Sequence, residues 1–190
     1  TEGDHALATK TLAVRKPRSM RIRFEGQLQP GVYAKDLILH LISRFGASGG
    51  TGYAIEFAGA AIRALPIEAR FTLCNMAVEF GAWTGIVAPD ESTFEYVRGR
   101  PFAPGPAIWD QAVAHWRTLV SDPDAVFDRE IEIDCTQIGP HITWGTSPQH
   151  GGNIGDAVPD SLRPRPPSAR RRHLSGGDGF VKMADGYLQY

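Results

Sequence analysis

Asn75 and Glu79 stand four positions apart in the apolar run Phe71-Thr72-Leu73-Cys74-Asn75-Met76-Ala77-Val78-Glu79-Phe80. On a helix that spacing puts both side chains on one face. A carboxylate is a group for proton exchange, and an amide beside it is a group for orienting hydrogen bonds. The same pair has a purely structural reading. Polar side chains on an apolar helix must be hydrogen-bonded or line a cavity, because burying them unsatisfied costs several kcal/mol. From the residues alone both readings stand.

Other motifs fail on their surroundings. Gly46-Ala47-Ser48-Gly49-Gly50 has the G-x-S-x-G form of a hydrolase nucleophile elbow, and His150-Gly151-Gly152 has some likeness to an oxyanion loop. An elbow needs a strand before its serine and a helix after it, whereas here the helical pattern precedes and the strand pattern follows. The same order argues against a phosphate cradle, which opens a helix N-terminus. A tight helix-to-strand connection is the better account of these glycines. His5, His40, His115, His141, His150 and His173 show no metal-ligand spacing, so no metal site is assigned and each is expected at the surface or at a cap. Cys74 and Cys135 are the only cysteines. They are too few for a zinc site or a disulfide framework and are read as reduced, buried thiols.

The elements that would position these groups come from the hydrophobic pattern. Residues 4–14 suit a helix that ends before Pro17. Met20-Arg21-Ile22-Arg23-Phe24-Glu25 alternates apolar and charged residues, the period of a half-buried strand. Leu37, Ile38, Leu41, Ile42 and Phe45 recur at helical spacing, with Gly46 at the C-terminal cap. Tyr53-Ala54-Ile55-Glu56-Phe57 predicts a second strand. Residues 66–88 read as one buried helix, or two broken near Gly81. A helix over residues 90–97 is capped by Asp90, and Ile108, Trp109, Ala112, Val113 and Trp116 mark another. Ile131 and Ile133 alternate with Glu130, Glu132 and Asp134 in a third strand. The order of strand, helix, Gly-rich loop and strand predicts a layered α/β/α domain.

The organisation expected is the end of a preceding helix over 1–17, the α/β domain over 18–150, and a linker or divergent tail over 151–190 rich in Gly, Pro, Ser and Arg. The run Arg170-Arg171-Arg172 lacks interleaved aromatics and is read as a solvated linker, not a nucleic-acid contact. With 190 residues, 20 Lys and Arg against 21 Asp and Glu, and 42% hydrophobic residues, the chain is neither disordered nor strongly charged. It has no stretch near the roughly 18 apolar residues of a membrane span, so no membrane contact and a cytoplasmic location are expected. Because it begins with Thr1, it is read as following a cleavage or as part of a longer polypeptide.

A resemblance adds to this reading. Thr72-Leu73-Cys74-Asn75-Met76-Ala77-Val78-Glu79-Phe80-Gly81-Ala82, then Ile86-Val87-Ala88-Pro89-Asp90-Glu91-Ser92-Thr93-Phe94-Glu95-Tyr96 and Gly99-Arg100-Pro101, resembles the large subunits of 3-isopropylmalate dehydratases, within the aconitase superfamily. The likeness extends through His5-Ala6-Leu7-Ala8-Thr9, Lys35-Asp36-Leu37-Ile38-Leu39 and Gly49-Gly50-Thr51-Gly52-Tyr53, and on to Ile142-Thr143-Trp144-Gly145-Thr146-Ser147-Pro148. It covers roughly residues 2 to 160.

The resemblance implies interconversion of 2-isopropylmalate and 3-isopropylmalate in leucine biosynthesis by dehydration and rehydration, with a small subunit as partner. It implies a [4Fe–4S] cluster held by three cysteines, with one iron acting as Lewis acid. It also gives Asn75 and Glu79 roles beside that cluster, the amide hydrogen-bonding near it and the carboxylate contacting the water or hydroxyl. The family's Cys-Thr-Asn and Cys-x-x-Cys cluster motifs and its Asp-Ser-His-Thr substrate motif do not occur in this chain, and Cys74 and Cys135 do not match ligand positions. The 190 residues alone are therefore expected to be inactive. Residues 161–180 depart from the family, while Met183-Ala184-Asp185-Gly186-Tyr187-Leu188-Gln189-Tyr190 weakly resembles the helix before the first cluster cysteine. The rival readings are a sister hydratase, such as a homoaconitase or a methylmalate-type dehydratase, and a non-catalytic remnant that binds a partner.

Overall fold

The computed structural model describes residues 2–157. Strand β1 (Arg18–Glu25) carries the alternation through: Met20, Ile22 and Phe24 are fully buried while the intervening arginines face the other side of the sheet. Helix α2 (Ala34–Phe45) lays Leu37, Ile38, Leu41 and Ile42 over the apolar face, and Gly46 closes it with its N–H on the Ile42 carbonyl. Strand β2 (Tyr53–Ala58) follows, parallel to β1 with Arg18 opposite Tyr53. A short helix α3 (Ala60–Ala64) and then α4 (Ile67–Met76) lead to strand β3 (Thr84–Val87). Helices α5 (Glu91–Val97) and α6 (Trp109–Trp116) precede strand β4 (Arg129–Asp134).

The four strands form one parallel sheet in the order β3-β2-β1-β4, so the layered α/β expectation holds. Going from β1 to β3 the chain steps one way across the sheet, with α2 and α4 packed together on the apolar face. The step from β3 to β4 reverses direction, and a right-handed crossover then has to pass over the opposite face. It does so: the Ser121 hydroxyl bonds the Glu56 carboxylate, Phe127 lies under the Arg21 guanidinium at 4.4 Å, and Asp128 accepts from the Ser19 amide at 2.7 Å. On this polar face Arg21 makes a two-pronged contact with Glu130, its direct neighbour across the β1–β4 register. A one-residue slip would separate these charges and turn Met20, Ile22 and Phe24 out of the core.

Three expectations change. Helix α1 (Glu2–Thr9) stops earlier than the predicted residue 14, because Lys10 takes a left-handed conformation (φ 54°) that a helix cannot continue through. The run 66–88, expected to be helical, divides into α4, a turn and the strand β3. Gly85 explains the strand: a side chain there would meet Ala77, the Cys74 backbone and the Phe57 ring, each at 2.9 Å. Thr84-Gly85-Ile86-Val87 thus lies directly beneath α4, a contact that local pattern does not encode. Finally, strands β5 (His141–Thr143) and β6 (Gly151–Asn153) form a small antiparallel hairpin beside α2, tied on by Asp36, whose carboxylate accepts from the amides of Tyr33 and His141. The segment predicted as a tail therefore opens with a strand. Residues 158–190, with Arg170 to Arg172 and the stretch from Met183, lie outside the described residues.

Candidate functional site

Residues 77–82 form the turn that carries Glu79. Ala82 N–H donates to the Ala77 carbonyl (3.0 Å) and Gly81 N–H to the Val78 carbonyl (2.8 Å), with Gly81 at φ +89°. This is a Schellman closure, and it ends the helical path that begins in α4. Helix α4 stops at Met76, and Glu79 N–H reaches back only three residues, to the Met76 carbonyl. Asn75 and Glu79 therefore do not share an α-helical face: the first is on the last turn of α4 and the second is in the turn beyond it.

Burial reverses the structural reading of this pair. The buried stripe of α4 and its turn is Ile67, Arg70, Leu73, Ala77 and Phe80. Asn75 and Glu79 are exposed, and neither side chain has a hydrogen bond or ion pair among the described residues. They share the outward surface with Phe71, 53% exposed, and Val78, 64% exposed. The demand for satisfied burial does not apply to groups that water reaches. What remains is an amide and a carboxylate displayed beside two exposed apolar side chains, on the last turns of α4 and the firmly held turn that follows.

The Gly-rich loop holds that turn. Gly50 N–H donates to the Phe80 carbonyl (2.9 Å), and Trp83 N–H donates to the Tyr53 carbonyl (2.8 Å). The Phe80 ring is fully buried against Gly49, where a Cβ would lie 2.2 Å from its Cε2. A Cβ on Gly81 would in turn sit 2.9 Å from the Ala47 carbonyl oxygen. Residues 46–52 are thus a seat for the Glu79 turn, as their place between α2 and β2 suggests, and Ser48 stands exposed on a helix-to-strand loop without an elbow.

At the other end of α4, Arg70 is the buried residue that sequence reasoning passed over. Only 3% exposed, it donates from Nε to the Leu65 carbonyl, from Nη2 to the Arg63 carbonyl, and through both Nη atoms to Asp90, each contact to the carboxylate at 2.8 Å. Burial alone would raise the Asp90 carboxyl, but the Arg70 guanidinium and the Thr93 amide overcome it and hold the carboxyl below its usual range. Asp90 also caps α5, as its position predicts. The signal for Arg70 was the lone cation in a largely apolar stretch, at helical spacing from Ile67, Leu73 and Ala77.

The donor set does not suit an iron–sulfur cluster. Cys135 is buried in the core, where desolvation, then Asp134 and Glu25, push its thiol up to about 11. Cys74 is half-buried on α4, and burial raises it as well. Thiols that stay protonated at neutral pH are poor ligands, and two of them fall short of three thiolates. Among the described residues no group of three His, Cys, Asp or Glu side chains is placed to hold a metal. The expectation of surface histidines fails for His40, half-buried and edge to face with His141 at 5.2 Å. No helix among the described residues is long and apolar enough to cross a membrane.

Comparison with known proteins agrees with this architecture. The model of the aconitase family (aconitate hydratase) matches residues 1–179. A curated relative, the 3-isopropylmalate dehydratase large subunit 1 of Bradyrhizobium diazoefficiens, is 55% identical over 188 residues, which is 99% of this chain and 38% of that protein. The chain thus spans well under half the length of the relative it matches.

Proposed function

The chain belongs to the aconitase family, and from that membership we propose that it forms part of the large subunit of a 3-isopropylmalate dehydratase, contributing Asn75 and Glu79 to the active site. The reaction in this reading interconverts 2-isopropylmalate and 3-isopropylmalate by loss and return of water, as a step of leucine biosynthesis in the cytoplasm. Support for the substrate comes from the identity to the Bradyrhizobium subunit along nearly the whole chain. The observation that supports the site is the outward display of two unpartnered polar side chains, Asn75 on the last turn of α4 and Glu79 on the turn that closes it, whose inner residues Ala77 and Phe80 are fully buried.

Loss of water breaks a C–O bond and the neighbouring C–H bond: the departing oxygen takes a proton, and the carbon-bound proton passes to a base. Glu79 performs the oxygen-side transfer in both directions, donating when protonated and accepting from water when ionised, while the base that removes and returns the carbon-bound proton comes, in this reading, from polypeptide other than these 190 residues. Asn75 donates through its amide to a substrate oxygen and fixes its orientation. The exposed Phe71 and Val78 rings and branches meet the apolar part of the assembled site and exclude water from it. In this reading the [4Fe–4S] cluster belongs to the whole enzyme, its ligands come from polypeptide other than these 190 residues, and a small subunit completes the site.

The test is a chimaera in which these 190 residues replace their counterpart in the Bradyrhizobium large subunit, purified with its small subunit. Turnover of isopropylmalate in preference to homoaconitate and methylmalate is expected, with Glu79→Gln lowering kcat at least about a hundredfold. A folded, cluster-loaded chimaera that leaves isopropylmalate untouched would overturn the proposal, and preference for another hydroxy acid would assign the chain to a sister hydratase.

A further inference from the structure

Between the end of α5 and the start of α6 the chain folds around a cavity of about 520 Å³, within the size range of small-molecule sites. Its wall includes Arg98, Arg100, Trp109 and Asp110, and its rim is the loop through Ala103-Pro104-Gly105-Pro106. Neither arginine has a carboxylate within ion-pairing distance among the described residues, whereas Arg21, Arg23, Arg70 and Arg117 all do. Each guanidinium is instead held on an aromatic ring: Arg98 stands 4.8 Å from the Trp109 centroid and Arg100 lies 3.7 Å from that of Tyr96. Arg100 is pinned further by Nε, which donates to the Tyr96 carbonyl at 2.6 Å. Stacking holds a guanidinium without consuming its Nη donors, so these two exposed arginines keep donors free for an oxyanion.

Asp110 is the one carboxylate on the wall. It sits in the first turn of α6, where the helix dipole favours negative charge, which gives it a structural role. Two guanidiniums against one carboxylate leave the cavity with a net positive charge. Phe102, fully exposed at φ +69° in the loop that forms the rim, belongs to a backbone conformation that a bulky residue rarely adopts.

We propose that this cavity binds the oxyanion group of a small organic acid or phosphate ester, with Arg98 and Arg100 as the anion fork and Trp109 as the apolar floor. The Tyr96 ring under Arg100 also meets the Phe71 ring edge to face at 5.6 Å, so the cavity wall is connected to the surface that displays Asn75, but its test reads binding alone and does not depend on turnover. Citrate and inorganic phosphate are titrated separately into the 190-residue chain by calorimetry at constant ionic strength, with a hexaglutamate peptide as a third probe. Saturable binding of citrate or phosphate is expected, the tighter probe marking the carboxylate or phosphate source. Arg98→Ala and Arg100→Ala should each weaken it at least tenfold with unchanged circular dichroism, and Asp110→Asn should tighten it. No saturable binding of either small anion, binding that survives both arginine substitutions, or binding confined to hexaglutamate overturns the proposal; the last would make the cavity a docking point for an acidic segment of another protein.

Discussion

Arg70 and Asp90 join the inner end of α4 to the cap of α5 through two parallel contacts of 2.8 Å, one member almost wholly buried and the other half-buried. The pair fastens the segment after β3 to the helix that leads to Glu79. Removing one partner strands the other, so Arg70→Met and Asp90→Asn should each lower unfolding free energy by about 3 kcal/mol. Urea titration checks this, and a loss within error of zero would mean that the pair is merely decorative.

The same pair has a pH signature. Asp90 has a lowered folded pKa, so its stabilisation is present above its unfolded value of 3.8 and is lost as pH falls through the folded one. Thermal melts below that pH should show the loss in the natural chain and a flatter profile in Arg70→Met.

His40 acts in a different window. Burial first, then the neighbouring His141 and Arg44, bring its pKa from 6.5 down to about 4. Between these values the unfolded chain binds a proton that the folded chain refuses, so stability falls as pH drops from 6.5 toward 4. Replacing His40 with Leu should remove that slope while leaving the acid loss at Asp90 in place. Melting temperature followed across this range decides it.

Gly49 is the tightest point of the seat under the Glu79 turn. Gly49→Ala forces the Phe80 ring to move and should destabilise by about 2 kcal/mol. In the chimaera it should also lower kcat without changing the identity of the substrate, since the carboxylate is carried on the displaced turn. Unchanged stability and turnover would show that the loop is not the seat.

Glu79→Gln and Asn75→Ala are the contrasting pair. Both side chains are exposed and unpartnered, so stability should change by less than about 0.5 kcal/mol. A structural role would instead appear as a drop in melting temperature comparable with that of Gly49→Ala.

Strand β1, helix α2, the cap at Asp90 and strand β4 can be read directly from the residues, because each is written in short-range periodicity or in one residue's local bonding. The sequence also carried the family, through an ordered series of matches from His5 to Pro148. The run 66–88 was misread as helical throughout, because its largely apolar residues carry no period that separates a helix from the short edge strand Thr84–Val87. Thr84–Val87 becomes a strand through packing between distant segments: it pairs with β2, and the lack of a side chain at Gly85 lets it lie against Phe57, Cys74 and Ala77. Exposure was equally hidden: spacing placed Asn75 and Glu79 together, but the direction of the buried stripe through Leu73, Ala77 and Phe80 turned them outward. The arginine cavity was hidden for the same reason. Its wall depends on how the irregular loop after Arg100 folds back to Trp109, and a loop without periodicity does not record its path in the sequence.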